Sequence, residues 1–409
     1  MSKLQKITIS LFHWSELINL GILFLFYDVI DHTFLYIYAA VLFATGTIKI
    51  IARVKETPFL IEIEEYLHDC SVITFVVFLS EFSLIFLTYT GVSVKLPFII
   101  TLAGIAMAAI LLVCSKKIKV SFIKPVLIIS AIAALSTLIL HQFSISTELI
   151  KLSFILSLVF LFDHRDSYLG GLILLLISCV LLFLNHEAGS SFILLLSYDI
   201  FCFTSDKKKV RKAALITTAA IFTVWALVYF TPLYDMIDGL IDAVFSSKPS
   251  ICSSLHNIMS RLFFHYSSTD QLPLLHSLIN SQNMITKLTS IFSPAPFTEI
   301  VKFETGESTS SADYLFSLIL FFLGPIAGII LSGFSMIIYS GSIKKNYESE
   351  YRIIPITILS QTLIHICGNL MLLPFTGIPY PFLSHGASSL LISFLLVFLL
   401  TYYEMRGEC

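Results

Sequence analysis

Residues Pro374-Phe-Thr-Gly-Ile-Pro-Tyr-Pro-Phe-Leu-Ser-His-Gly-Ala-Ser-Ser-Leu-Leu391 join two long apolar runs near the end of the chain, at 353–373 and 385–404. Three prolines and two glycines cannot continue a helix, because proline lacks the amide donor and clashes with the preceding turn. Non-helical backbone at a membrane boundary is stable only where protein or a wet cavity satisfies its polar groups. A bend this rich in small and hydroxylated residues reads either as the lip of a site or as a rigid connector between two spans.

Working outward, the whole chain is apolar. Of 409 residues, 56% are hydrophobic and 13% charged, with a mean hydropathy of +0.90. That composition excludes a soluble multidomain protein. Lys and Arg (25) nearly balance Asp and Glu (27), and no basic stripe offers a footprint for a phosphate backbone, so nucleic acid is not an expected partner. The start, Met-Ser-Lys-Leu-Gln-Lys, lacks a short apolar core followed by a small-residue cleavage site, so the first apolar run reads as a retained span. Seven scattered cysteines make neither a disulfide framework nor a zinc-ligand spacing, and Cys252, alone in the large polar loop, has no obvious local partner.

Apolar runs long enough to cross, or nearly cross, a hydrocarbon core fall at about 9–27, 33–52, 70–91, 97–114, 122–141, 148–162, 168–184, 190–204, 213–231, 313–340, 353–373 and 385–404. The expected fold is therefore all-α, a polytopic membrane bundle of about twelve transmembrane helices. With twelve spans the Lys and Arg clusters fall on one side, which places both termini in the cytoplasm. The opposite side receives 232–312, a loop too long for an ordinary connection. It holds amphipathic stretches at 255–264 and 274–285 that suit short interfacial helices.

Several polar groups fall on that outer side. Glu148 and Lys151 are spaced i,i+3 and can pair on a helix. Glu187, followed by Gly189 and Ser190, opens a span and is either a helix entry or part of a site. Asp313 is expected in the first turn of a helix, where the free amides and the dipole stabilise a carboxylate. It would be ionised at neutral pH, the state a general base requires. The bend offers Thr376, Ser384, His385 and Ser388 as donors to a sugar or diphosphate. Lys248, Arg261 and Lys287 lie in the loop as candidate cations. Glu16, Glu81 and Asp199, within or near apolar runs, are expected to make interhelical hydrogen bonds rather than a proton path, and His365 is expected to be a satisfied packing residue.

Thr376-Gly-Ile-Pro-Tyr-Pro-Phe-Leu-Ser-His-Gly-Ala-Ser-Ser-Leu-Leu391 resembles the C-terminal signature T-G-I-P-L-P-F-x-S-Y-G-G-S-S-L-L of the SEDS family (shape, elongation, division and sporulation), which includes FtsW and RodA. His385 stands where that signature has tyrosine, and Ala387 where it has a second glycine. Ser146-Thr-Glu-Leu-Ile-Lys-Leu-Ser-Phe-Ile-Leu156 is similar to the family's Q-P-S-E-x-x-K-L-A-L-I-L, Asn185-His-Glu-Ala-Gly-Ser-Ser191 to Q-P-D-L-G-T-A, and Ser310-Ser-Ala-Asp-Tyr-Leu-Phe316 to H-T-D-F-I-F. Where the family has G-E-E-L-G, this chain has Leu320-Phe-Phe-Leu-Gly324, with the glycine and neither acid. The family's Gly-rich loop segment is absent, and two N-terminal spans are extra.

The resemblance implies N-terminal helices over 1–120, core helices over 121–231, an extracytoplasmic loop over 232–312 and C-terminal helices over 313–409. It implies a peptidoglycan glycosyltransferase of the bacterial cytoplasmic membrane that polymerises lipid-linked disaccharide-peptide on the outer face. Asp313 would be the catalytic residue, with Glu187, Ser190, Thr376, Ser384, His385, Ser388, Arg261 and Lys287 toward substrate and Glu148–Lys151 as a structural pair. A divalent cation (Mg or Mn) and a single-span transpeptidase of the class B penicillin-binding type are the expected cofactor and partner. The missing acids leave open a non-catalytic scaffold, precursor binder or flippase. An O-antigen-type polymerase or ligase is the third reading.

Overall fold

The computed structural model describes residues 71–89, 96–104, 145–165, 168–185, 187–205, 207–230, 233–245, 313–373, 375, 377–384 and 386–406, together with Asn19, Cys252, His256, Met259, His276 and Asn280. These residues are helical or lie in turns, with no strand among them. Ten helices are numbered here: α1 (Ser71–Tyr89), α2 (Ile145–Arg165), α3 (Tyr168–Leu184), α4 (Ala188–Phe203), α5 (Lys208–Phe230), α6 (Leu233–Phe245), α7 (Leu315–Phe322), α8 (Gly324–Lys345), α9 (Ile353–Asn369) and α10 (Ala387–Arg406). Residues 96–104 are also helical, and a single 3-10 turn, Glu350–Arg352, leads into α9.

The chain divides into two compact units, the first made of 1–121, 282–362 and 379–409, the second of 122–281 and 363–378. In the first, α8 packs on α7 and α1, and α10 on α1. In the second, α3 packs between α2 and α4, α4 also meets α2 and α5, and α6 follows onto α5.

Both units bury polar groups while leaving large apolar side chains outside. On α3 the exposed stripe is Leu169, Ile173, Leu176, Ile177 and Val180; α8 exposes Ile326, Ile329 and Ile330. Ser197, Ser335, Thr357 and Thr362 are buried instead. Each donates its hydroxyl to the carbonyl one turn back, on Ile193, Leu331, Ile353 and Ile358, which satisfies it without a partner helix. Exposed apolar stripes of this kind fit helices that face hydrocarbon. Among the described residues α8 and 387–404 of α10 are long and apolar enough to cross a membrane, and shorter apolar helices fall within α1, α3 and α4.

The helices differ from the apolar runs in instructive places. α2 starts at Ile145, ahead of its run, because the polar turn holding Glu148 is buried and belongs to the helix. The run 313–340 is two helices. α7 ends at Phe322 with Leu323 as its C-cap, Gly324 takes a left-handed φ of 81°, and Pro325 stands in the first turn of α8, the arrangement in which a glycine closes one helix and a proline begins the next. The runs 9–27 (apart from Asn19), 33–52 and 122–141 lie outside the described residues, as does 97–114 beyond 104. α9 closes through Met371, at φ 57°, whose amide reaches the Gly368 carbonyl while that of Leu372 reaches Cys367. That is a Schellman closure with methionine in the glycine position.

Close helix approach in the second unit depends on Gly171 of α3. A β-carbon there would lie 2.8 Å from the Tyr198 ring and 3.1 Å from Leu158, and the Tyr198 hydroxyl is fixed by donation to the Tyr168 carbonyl at 2.7 Å. Gly171→Ala is expected to cost about 1–3 kcal/mol through overpacking. Chemical unfolding of the detergent-solubilised protein checks this, with Gly333→Ala of α8 as the control, since a β-carbon there meets nothing within 4 Å.

Candidate functional site

Two of the predicted clusters meet in the second unit. Glu148, in the first turn of α2, and Lys151, one turn on, form an ion pair at 2.6 Å with both residues buried. In a medium of low permittivity such a pair persists because removing either partner strands the other's charge. Glu187, just ahead of α4, lies within the electrostatic reach of both.

Glu187 occupies the N-cap position of α4, yet its side chain makes no capping bond. The carboxylate instead accepts a long 3.5 Å hydrogen bond from Ser190, whose side chain is buried. Its rim is open to water, but the surrounding protein raises its pKa; Lys151 pulls it down, Glu148 pushes it up and the Ser190 hydrogen bond lowers it. An acid held this way, next to a cation and not spent on the helix, can accept hydrogen bonds or a metal at a hydrophilic ligand.

In the first unit Asp313 is not in the first turn of a helix as the sequence predicts. Tyr314 takes the N-cap of α7 and its carbonyl accepts the Leu318 amide at 3.0 Å, so Asp313 sits one residue farther out, half-buried. A bend at Tyr314 separates Asp313, itself a helical residue, from α7.

The bend 374–384 divides between the units. Within the second, Ile378 packs with Ile193 and Ile364, against Phe192 and Leu196. The His365 imidazole bonds the Ile378 carbonyl through Nδ1, and the Asn369 side chain bonds both His365 Nε2 and the His365 carbonyl. Within the first, Gln361 donates to the Pro379 carbonyl at 2.9 Å and the Tyr380 hydroxyl bonds Ser335 at 2.9 Å. Ser384 is buried, and its oxygen accepts the Tyr380 amide at 2.7 Å. Ser83 of α1 donates to the Leu383 carbonyl. Phe382 sits at φ 62°, with its ring edge-on to Phe394 at 5.4 Å. A bulky residue in that region costs about 1–3 kcal/mol and persists only where its surroundings hold it. Ser388 is half-buried in the first turn of α10. Thr376, His385, Arg261 and Lys287 lie outside the described residues, as do Glu16 and Lys248.

Glu81 accepts from Asn19 at 2.9 Å and Asp199 from Thr218 at 2.9 Å, both between helical segments. Cys252 does have a local partner, contrary to the reading of the sequence: its thiol donates to Asp242 of α6 at 3.4 Å. Each i,i+4 spacing in that group, Asp238 with Asp242 and Cys252 with His256, was visible in the chain. The meeting of the two pairs depends on the loop's fold.

The comparison that decides the architecture is with a solved structure described as "Structural coordination of polymerization and crosslinking by a peptidoglycan synthase complex". The two chains share a fold. The match has a TM-score of 0.53 and 14% identity, over 82% of this chain and 97% of that one. The sequence matches no protein-family model and no curated protein.

Two measurements probe the Glu148 cluster. Lys151→Met alone is expected to destabilise by about 3–5 kcal/mol, and Glu148→Gln with Lys151→Met to recover most of that loss; a double-mutant cycle on unfolding free energies reads it. Because the Glu187 carboxyl holds its proton more tightly when folded, its contribution to stability is full below the ordinary carboxylate pKa and is lost as pH rises through the raised value. Glu187→Gln should therefore raise Tm at pH 7 and leave it unchanged near pH 4. A gain equal at both would contradict the burial effect.

Proposed function

We propose that this chain is a multi-pass membrane glycosyltransferase of peptidoglycan synthesis, with about twelve spans and both termini in the cytoplasm. It polymerises lipid-linked disaccharide-peptide on the outer face of the cytoplasmic membrane. The observation carrying this reading is the fold likeness to a chain of a peptidoglycan synthase complex over 97% of that chain, together with the sixteen-residue signature from Thr376 to Leu391.

In this mechanism the Asp313 carboxylate takes the proton from the acceptor sugar hydroxyl as that oxygen bonds to the donor's anomeric carbon. The bond from that carbon to polyprenyl diphosphate breaks, and the diphosphate leaves with the electron pair, inverting the centre. A carboxylate is a modest base, so most of the rate enhancement comes from positioning and from charge stabilisation at the leaving group.

Glu187 and Ser190 are the proposed polar contacts to substrate in the second unit, and Glu148–Lys151 holds them in place. A hard divalent cation of the Mg or Mn type takes carboxylate oxygens and would neutralise diphosphate charge. In this cluster Glu187 fits that need, since Glu148 is held by Lys151 and Glu187 caps no helix. A single-span transpeptidase of the class B penicillin-binding type is the proposed partner, as crosslinking must follow polymerisation. A catalytically silent scaffold is the second reading, favoured by Leu320-Phe-Phe-Leu-Gly324, which carries no acid.

Purified protein given lipid-linked precursor and divalent metal, with and without a transpeptidase, separates the two. Polymer from the wild type and a loss of at least about 100-fold in Asp313→Ala are expected, the scale of removing a general base. Equal product from both proteins would reject the role of Asp313. Precursor binding without polymer from either would favour the scaffold.

A further inference from the structure

The large loop brings together four side chains that no step above uses. Asp238 and Asp242 lie one turn apart on α6. Cys252 and His256 are both helical and also one turn apart. Spacing of i,i+4 puts each pair on one face, and the two faces meet. His256 Nε2 lies 2.9 Å from Asp242 Oδ1, and Cys252 Sγ lies 3.4 Å from the same oxygen. The ligand atoms of Asp242, Cys252 and His256 are all within 4.8 Å of one another. On the far side of the imidazole, Nδ1 lies 2.6 Å from Asp238 Oδ1.

We propose that Asp242, Cys252 and His256 form a zinc site on the loop, with Asp238 as the carboxylate that orients His256 from behind. Ligand atoms around a tetrahedral Zn2+ at about 2.0–2.3 Å stand roughly 3.3–3.8 Å apart. The 2.9 Å and 3.4 Å spacings to Asp242 lie near that range, and no pair of the three exceeds 4.8 Å. Binding expels the protons that Nε2 and Sγ donate to Asp242, and the thiolate, imidazole nitrogen and carboxylate oxygen then supply three ligands.

Nδ1–H donates to Asp238, which fixes the tautomer that leaves the Nε2 lone pair for the metal, the usual second-sphere arrangement at histidine sites. The fourth position is left to water or another ligand. Thiolate and imidazole select a borderline-soft ion over magnesium or calcium, so this site is distinct from any hard cation at a diphosphate. Its expected effect is to fasten α6 to Cys252 and His256. The inference stands whether or not the chain polymerises glycan.

Cobalt(II) is the probe, added to full-length, chelator-stripped protein in detergent and reductant, without an oligohistidine tag. The expected result is one Co2+ per chain, a thiolate-to-cobalt charge-transfer band in the near ultraviolet, and visible bands of tetrahedral intensity that Zn2+ abolishes stoichiometrically. Cys252→Ser should lose the charge-transfer band, and Asp238→Asn should weaken affinity about 10–100-fold while keeping the band. No saturable binding below about millimolar, or a band that survives in Cys252→Ser, would overturn the proposal and leave the cluster an Asp–His–Asp hydrogen-bond group. All four positions are exposed or half-buried, so the substitutions test the site rather than folding.

Discussion

A helical chain that meets hydrocarbon must settle its polar groups internally, and that constraint orders most of what is seen here. Serine and threonine hydroxyls fold back onto the carbonyl a turn earlier, as at Ser80, Ser197, Thr218 and Ser335. Charges find partners on their own helix or on another: Glu148 with Lys151, and Glu404 of α10 with Lys345 and Asn346 at the end of α8. At that end of α8 Tyr351 stacks on Tyr403 at 3.8 Å, and Arg352 donates to the Tyr347 carbonyl while lying over its ring. Basic side chains there also suit the negative end of the α8 dipole.

The same constraint explains why the proline-rich bend is bonded along its length. Backbone that leaves the helix loses its own partners, so other groups must supply them. His365 serves the Ile378 carbonyl, Gln361 that of Pro379, Ser83 that of Leu383, and Ser384 the Tyr380 amide. This dense bonding holds Phe382 in an unfavourable conformation. It also separates the two roles the bend could have: Ser384 has a structural duty, whereas Ser388 stands on a helix that begins after the bend.

How much was legible in the chain follows from which signals are local. Apolar runs located the cores of α1, α3, α4 and α10, and the i,i+3 spacing of Glu148 and Lys151 anticipated their pairing. Hydropathy failed where polar turns are helical, as at Ile145 and at Lys208–Lys212, because length and packing rather than composition carry those turns. It also ran straight through Gly324-Pro325, a break signal submerged in an apolar stretch, and missed the bend at Tyr314 that leaves Asp313 outside α7. The junction of Glu187 with Glu148–Lys151, and of Cys252 and His256 with α6, depends on contacts across many residues that no local pattern encodes.

The glycine between α7 and α8 has a mechanical consequence. Neither helix's hydrogen-bond ladder passes through that junction unbroken, so α7 can act as a short arm whose fulcrum is Gly324 and whose far end adjoins Asp313. Eight residues at about 1.5 Å each make an arm of roughly 12 Å, so a rotation of about 10° moves its far end about 2 Å. Phe316 and Leu320 rest against Gly328, where even a methyl group would collide at 2.6 Å. The seating of two side chains on one bare stretch of backbone thus sets the aim of a carboxylate just beyond that far end.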